Sequence, residues 1–122
     1  MFLLRSPLRE VQARGRDGTE VTFAGVALVE LLRLAGVPLV EKLRGSNMAL
    51  YLLVDAADGY RVVFALPELD PAFTERVVLL ADHRNGQPLA AAEGPLRLVV
   101  PDEKRQARWV RQVGSCNFHR AP

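Results

Sequence analysis

Apolar and polar positions alternate in short stretches along this chain, and in one main stretch the spacing changes to that of a helix. Residues 8–14 and 19–23 alternate on either side of Arg16-Asp17-Gly18. Asp-Gly between two alternating runs predicts a β-hairpin, because the turn needs residues that tolerate positive φ. Leu28, Leu31, Leu32 and Ala35 then repeat at i, i+3, i+4 and i+7, with Glu30 and Arg33 on the opposite side. This predicts an amphipathic helix over 27–35, stopped by Gly36 and prevented from resuming by Pro38. A weaker helix is expected over 38–43, ending at Gly45. Residues 49–54 and 60–66 are apolar, β-branched and aromatic around Asp58-Gly59 and predict a second hairpin. A turn is expected over 67–71, strands over 77–81 and 96–100, a short last strand over 109–113, and a frayed tail over 114–122. The predicted class is α+β: a mixed, mostly antiparallel sheet with one main helix packed on it.

The chain has 122 residues, 49% hydrophobic and 25% charged, which fits one domain over 1–122 with a single core. A net charge of +2, spread along the chain with few aromatics among the basic residues, argues against nucleic acid as a partner. Cys116 is the only cysteine, so neither an internal disulfide nor a cysteine-based zinc site can form. No apolar run reaches the roughly 18 residues of a membrane span. The apolar start, Met1 to Leu4, is too short for a secretory signal. No membrane association is expected, and as written the chain is expected in the cytoplasm; a periplasmic placement would need an upstream export signal.

The last third carries the densest chemistry. Asn85-Gly86-Gln87-Pro88-Leu89 is followed by Gly94-Pro95-Leu96-Arg97-Leu98-Val99-Val100-Pro101, and then by Arg108-Trp109. This order resembles the oxidoreductase molybdopterin-binding domain, the catalytic domain of sulfite oxidase-like enzymes. Phe23-Ala24-Gly25-Val26 with Leu31-Leu32 and Ala35-Gly36-Val37, Asp58-Gly59-Tyr60, and Leu79-Leu80-Ala81 stand in the order and spacing of that family's motifs. The resemblance covers about 22–113. It implies the family's α+β fold, and molybdopterin as the group whose anionic phosphate this region holds.

Several positions depart from the family's pattern. Its molybdenum ligand is a cysteine near the start of the domain, and here the one cysteine lies in the tail. A histidine of the family's H-G-x-P-x-R element is replaced by Glu93, a glycine after Pro101 by Asp102, and the lysine before the tryptophan by Arg108. The loop between Pro101 and Trp109 reads as shortened, and the family's N-terminal strand and the dimerisation domain of the true oxidases are not recognised. The chain therefore reads as a reduced, stand-alone pseudoenzyme.

Lys104, Arg105, Arg108 and Arg111 form the best candidate anion clamp; Lys104, Arg108 and Arg111 would share a face in a helical turn. Arg97 points either into a cleft as a ligand cation or out of an edge strand. Trp109 would floor the pocket or fill the core, and Asn85 marks the turn beside it. The expected cofactor-binding set is Arg97, Lys104, Arg105, Arg108, Trp109 and Asn85, with no catalytic residue and no metal ligand; His83, beside Asp82, lacks convergent partners. The favoured reading is a module that binds a small anionic or phosphate-bearing ligand without molybdenum redox activity. The alternatives are an active molybdopterin-dependent oxidoreductase and a structural partner in a redox system.

Overall fold

The structure, a computed structural model, describes residues 8–15 and 17–122. Residues 1–7 lie outside the described residues, as does Arg16 in the first predicted turn. Among the described residues, eight strands form two sheets and one α-helix accompanies them. The first hairpin is β1 (Arg9–Arg14) and β2 (Glu20–Ala27), paired antiparallel with Val11 opposite Phe23. The helix, α1 (Leu28–Leu34), buries Leu28 and Leu32, and its first N–H bonds to the Val78 carbonyl at 2.8 Å. Gly36 follows with φ 78°, the left-handed conformation that ends a helix cheaply only at glycine.

The second hairpin is β3 (Leu50–Ala56) and β4 (Arg61–Ala65). Then come β5 (Leu79–Arg84), the two-residue β6 (Gln87–Pro88), β7 (Arg97–Val99) and β8 (Val113–Arg120). One sheet runs β1-β2-β5-β6, with β7 also pairing β5; the other runs β4-β3-β8. Every described strand pair is antiparallel. The core lies between the sheets and α1. Phe23, Leu28, Leu52, Val54, Phe64, Leu79, Leu98 and Val99 are among its members.

Three expectations change. The weak helix over 38–43 shrinks to a 3-10 turn at Val40–Lys42. The strand expected over 109–113 is irregular chain as far as Gln112, buried only at its start, and Val113 opens β8. Trp109 and Val110 are core residues, and the Val110 carbonyl accepts from Leu98 N–H at 2.8 Å. The tail expected to fray is β8, paired with β3 from Leu50 opposite Arg120 to Ala56 opposite Val113. Its side chains are nearly all exposed, so no apolar alternation announces it; the strand is held by its backbone ladder to β3.

The family-like motifs explain parts of this geometry. Gly25 faces β5 so closely that a Cβ there would lie 2.1 Å from the Leu80 carbonyl oxygen and 2.7 Å from Ala81 Cα. Asp58-Gly59 forms the β3–β4 turn, with Gly59 at φ 91° and Asp58 accepting from Tyr60 N–H at 3.0 Å.

Candidate functional site

Arg97 lies at the start of β7, opposite Ala81 of β5, and its side chain is only 7% exposed. It points into a cleft rather than out of an edge. Its guanidinium carbon stands 5.6 Å from the centre of the Phe23 ring and 5.4 Å from that of Trp109. The two rings meet edge to face, 5.8 Å apart at 81°. Two aromatic walls suit a flat, weakly hydrated cation better than they would suit an ammonium.

One carboxylate answers this charge. Glu93 Oε1 accepts from Arg97 at 2.7 Å and from Arg84 at 3.0 Å. The turn that holds Glu93 is tied down by Gln112, whose N–H donates to the Glu93 carbonyl at 2.8 Å and whose side-chain amide donates to the Ala91 carbonyl at 2.9 Å. That tie also brings Arg111 to the same place. A cavity of about 270 Å³ opens here, lined by Arg84, Arg97, Arg111, Glu93 and Asp17 over Phe23 and Trp109. Three cations thus meet two carboxylates. Burial lowers the Arg97 pKa, Glu93 opposes that, and Arg111 and Arg84 lower it further. Arg97 Nε is buried and has no hydrogen-bond partner.

The other expected site residues separate. Lys104 and Arg105 line a larger concavity of about 930 Å³ between the β1–β2 hairpin and the chain after Pro101, together with Arg14. Trp109 lines both concavities while remaining core, its Nε1 donating to the Val100 carbonyl at 3.0 Å. Asn85 lines neither. Its N–H donates to the Thr22 carbonyl at 2.7 Å, and its Oδ1 accepts from Thr22 N–H at 2.9 Å, so it closes the β5–β6 turn against β2.

Arg108 is not in the clamp either. It donates to Glu68 Oε1 at 2.7 Å, to both Glu103 oxygens and to the Val63 carbonyl at 2.9 Å, and lies 4.2 Å over the Phe64 ring. These bonds raise its pKa. Burial raises the Glu68 carboxyl, but Arg108 and the Ala65 N–H outweigh that and hold it below the usual carboxylate range. The helical face expected for Lys104, Arg108 and Arg111 does not form, because only Gln106–Arg108 is a single 3-10 turn. Arg108→Ala is expected to cost about 1–3 kcal/mol in urea unfolding. The Glu68 contribution is present above the ordinary carboxylate pKa of 4.5 and fades as pH falls through the lowered folded value.

Arg84 escaped sequence reasoning. The available signal was its position next to Asn85-Gly86, at the end of a strand whose start is wholly buried. Its register partner is Phe23, whose ring it approaches at 5.8 Å.

A family model described as the oxidoreductase molybdopterin binding domain matches residues 4–121. The chain belongs to this family. A comparison with curated proteins finds no match. The family match extends beyond the 22–113 expected from motifs, so β1 and β8 belong to the molybdopterin-binding domain.

Molybdenum coordination through a cysteine does not fit the residues present. Cys116 sits on β8 opposite Val54, exposed at the surface of the three-stranded sheet. Although the residue is exposed, surrounding protein strips water from the sulfur and Asp55 adds negative charge, pushing the thiol up to about 11. The raised value makes the thiol a poor nucleophile, and its place on the outer strand, not its proton, sets it apart from the arginine cavity. No cysteine lines either concavity at Trp109. Arg84, Arg97 and Arg111 do fit the phosphate end of a pterin cofactor, as any anion of that size.

Proposed function

We propose that this molybdopterin-binding domain holds a small anionic, phosphate-bearing ligand and does not run molybdenum redox chemistry. The observation that carries the reading is the buried Arg97, aimed into a cavity beside two further arginines and left with an unpartnered Nε. Buried charge is costly unless it is matched, and three arginines against Glu93 and the exposed Asp17 leave one positive charge unmatched. Planar guanidinium forks suit phosphate oxygens. The pseudoenzyme half of the reading rests on Cys116, which lies on a strand remote in sequence from the family's ligand position and lines neither concavity at Trp109.

The test is thermal melting of the purified chain with inorganic phosphate or sulfate, against chloride at equal ionic strength. A ligand at a hundredfold its Kd stabilises by about 2.7 kcal/mol. Arg111→Ala and Arg97→Met should each abolish the shift; Arg111 is exposed, so its variant stays folded even if Arg97→Met does not. No shift with either anion would end the anion-binding reading. Stoichiometric molybdenum in protein expressed with ample molybdate would end the other half.

A further inference from the structure

The basic residues near Trp109 do not converge on one point. Arg84, Arg97 and Arg111 face the smaller cavity, and Arg14, Lys104 and Arg105 the larger. The two concavities meet at Gly15, Gln106 and Trp109, which line both. Gln106 marks the junction, its amide donating to the Arg14 carbonyl at 2.8 Å.

The larger concavity also carries unspent charge. Among the described residues, Arg14, Lys104, Arg105 and Arg111 make no ion pair. The acids lining it are Glu20 and Glu103, and Glu103 is already held by Arg108 and Arg76. Three free cations therefore face one free carboxylate there. In the smaller cavity Glu93 is committed to Arg84 and Arg97, which leaves Arg111 as the cation without an ion pair among the described residues, beside the exposed Asp17 that accepts from Thr19.

We infer that the groove takes a two-headed anion: an organic ligand with one phosphate or carboxylate group at Arg97 and Arg111 and a second anionic group at Lys104, Arg105 and Arg14. This rests on the anion-binding reading of the Arg97 cavity and adds the second head. Two linked groups bind more tightly than one when the span matches, because the second binds at high effective concentration. A span that is too short cannot reach, and a longer one gains progressively less. Affinity should therefore pass through a maximum with length.

The probes are methylphosphonate and a series of alkane-1,n-bisphosphonates, titrated calorimetrically into the full chain at low salt. At least one length should bind about tenfold or more tightly than methylphosphonate. The double variant Lys104→Ala/Arg105→Ala changes two exposed side chains. It should bring that bisphosphonate down to the methylphosphonate level and remove any second methylphosphonate equivalent, while the methylphosphonate at Arg97 and Arg111 binds as before. Arg111→Ala should weaken both. The inference is overturned if no length gains more than about twofold, the statistical gain from a second identical head. It is also overturned if the gain survives in the double variant, or if that variant weakens methylphosphonate equally, which would mean diffuse attraction. Methylphosphonate failing to bind at all would strike the anion-binding reading itself, a result distinct from binding without length dependence.

Discussion

Gly25→Ala is expected to lower the stability of the fold severely. The added Cβ would sit 2.1 Å from the Leu80 carbonyl oxygen, 2.7 Å from Ala81 Cα and 2.9 Å from the Leu80 carbonyl carbon. All three are backbone atoms of β5, so no side chain can swing aside. The position also lies where the β2–β5 register shifts between Ala24 and Gly25. Relief requires the two central strands to part. A loss on the order of 4 kcal/mol or more follows, at the far end of single-substitution effects. A domain this size holds about 5–15 kcal/mol in all. The control is Gly36→Ala, where φ is 78° but nothing lies within 4 Å of the added atom. That change carries only the left-handed penalty, about 1–2 kcal/mol. Urea unfolding followed by circular dichroism measures both, and equal midpoints for the two variants would refute the close-approach argument.

Glu93→Ala is the second large effect. It leaves the Arg97 guanidinium, 7% exposed, without its only carboxylate. Breaking a buried pair from one side costs about 3–5 kcal/mol, because the surviving charge stays buried. Glu93→Gln keeps an acceptor oxygen for Arg84 and Arg97 and should cost less. Both variants also leave three arginines against the exposed Asp17 alone, so phosphate should restore part of their melting temperature and should shift them more than the parent. Rescue is what separates an anion site from a plain structural ion pair. If phosphate shifts Glu93→Gln no more than the parent, Glu93 is not standing where an anion would bind.

The hairpins and α1 were legible because local rules agree there. Asp-Gly turns separate alternating runs, and Leu28 and Leu32 fall on one helical stripe that does become buried. β8 was not legible, because a strand covered on neither face by the core has no reason to alternate. Arg97 could be singled out because a charge inside Leu-Arg-Leu-Val-Val must be matched by something, although its direction could not be read. Glu93 stands out in the sequence as a departure, a carboxylate where the family has a histidine. The structure makes it the counter-charge that lets Arg97 be buried. Arg108 misled for the opposite reason. Its partners Glu68 and Glu103 lie 40 and 5 positions away in sequence, and the first of these separations is invisible without the fold. The clamp expected from the spacing of Lys104, Arg108 and Arg111 required a helical turn that Asp102 to Arg105 do not continue.

The backbone ladder of β8 has a practical consequence for handling the protein. Clipping or truncation beyond Gly114 would strip one margin of β3, laying bare the alternate amides and carbonyls along Leu50–Ala56 that face away from β4. Such an apolar, proline-free segment is prone to recruit strands from other molecules. The margin of β4 has its own guard, since the Arg108 side chain bonds to the Val63 carbonyl; that of β3 is shielded by the final strand. Loss of the eight residues after Gly114 would therefore show up as clumping in solution, well before any change in the Arg97 cavity.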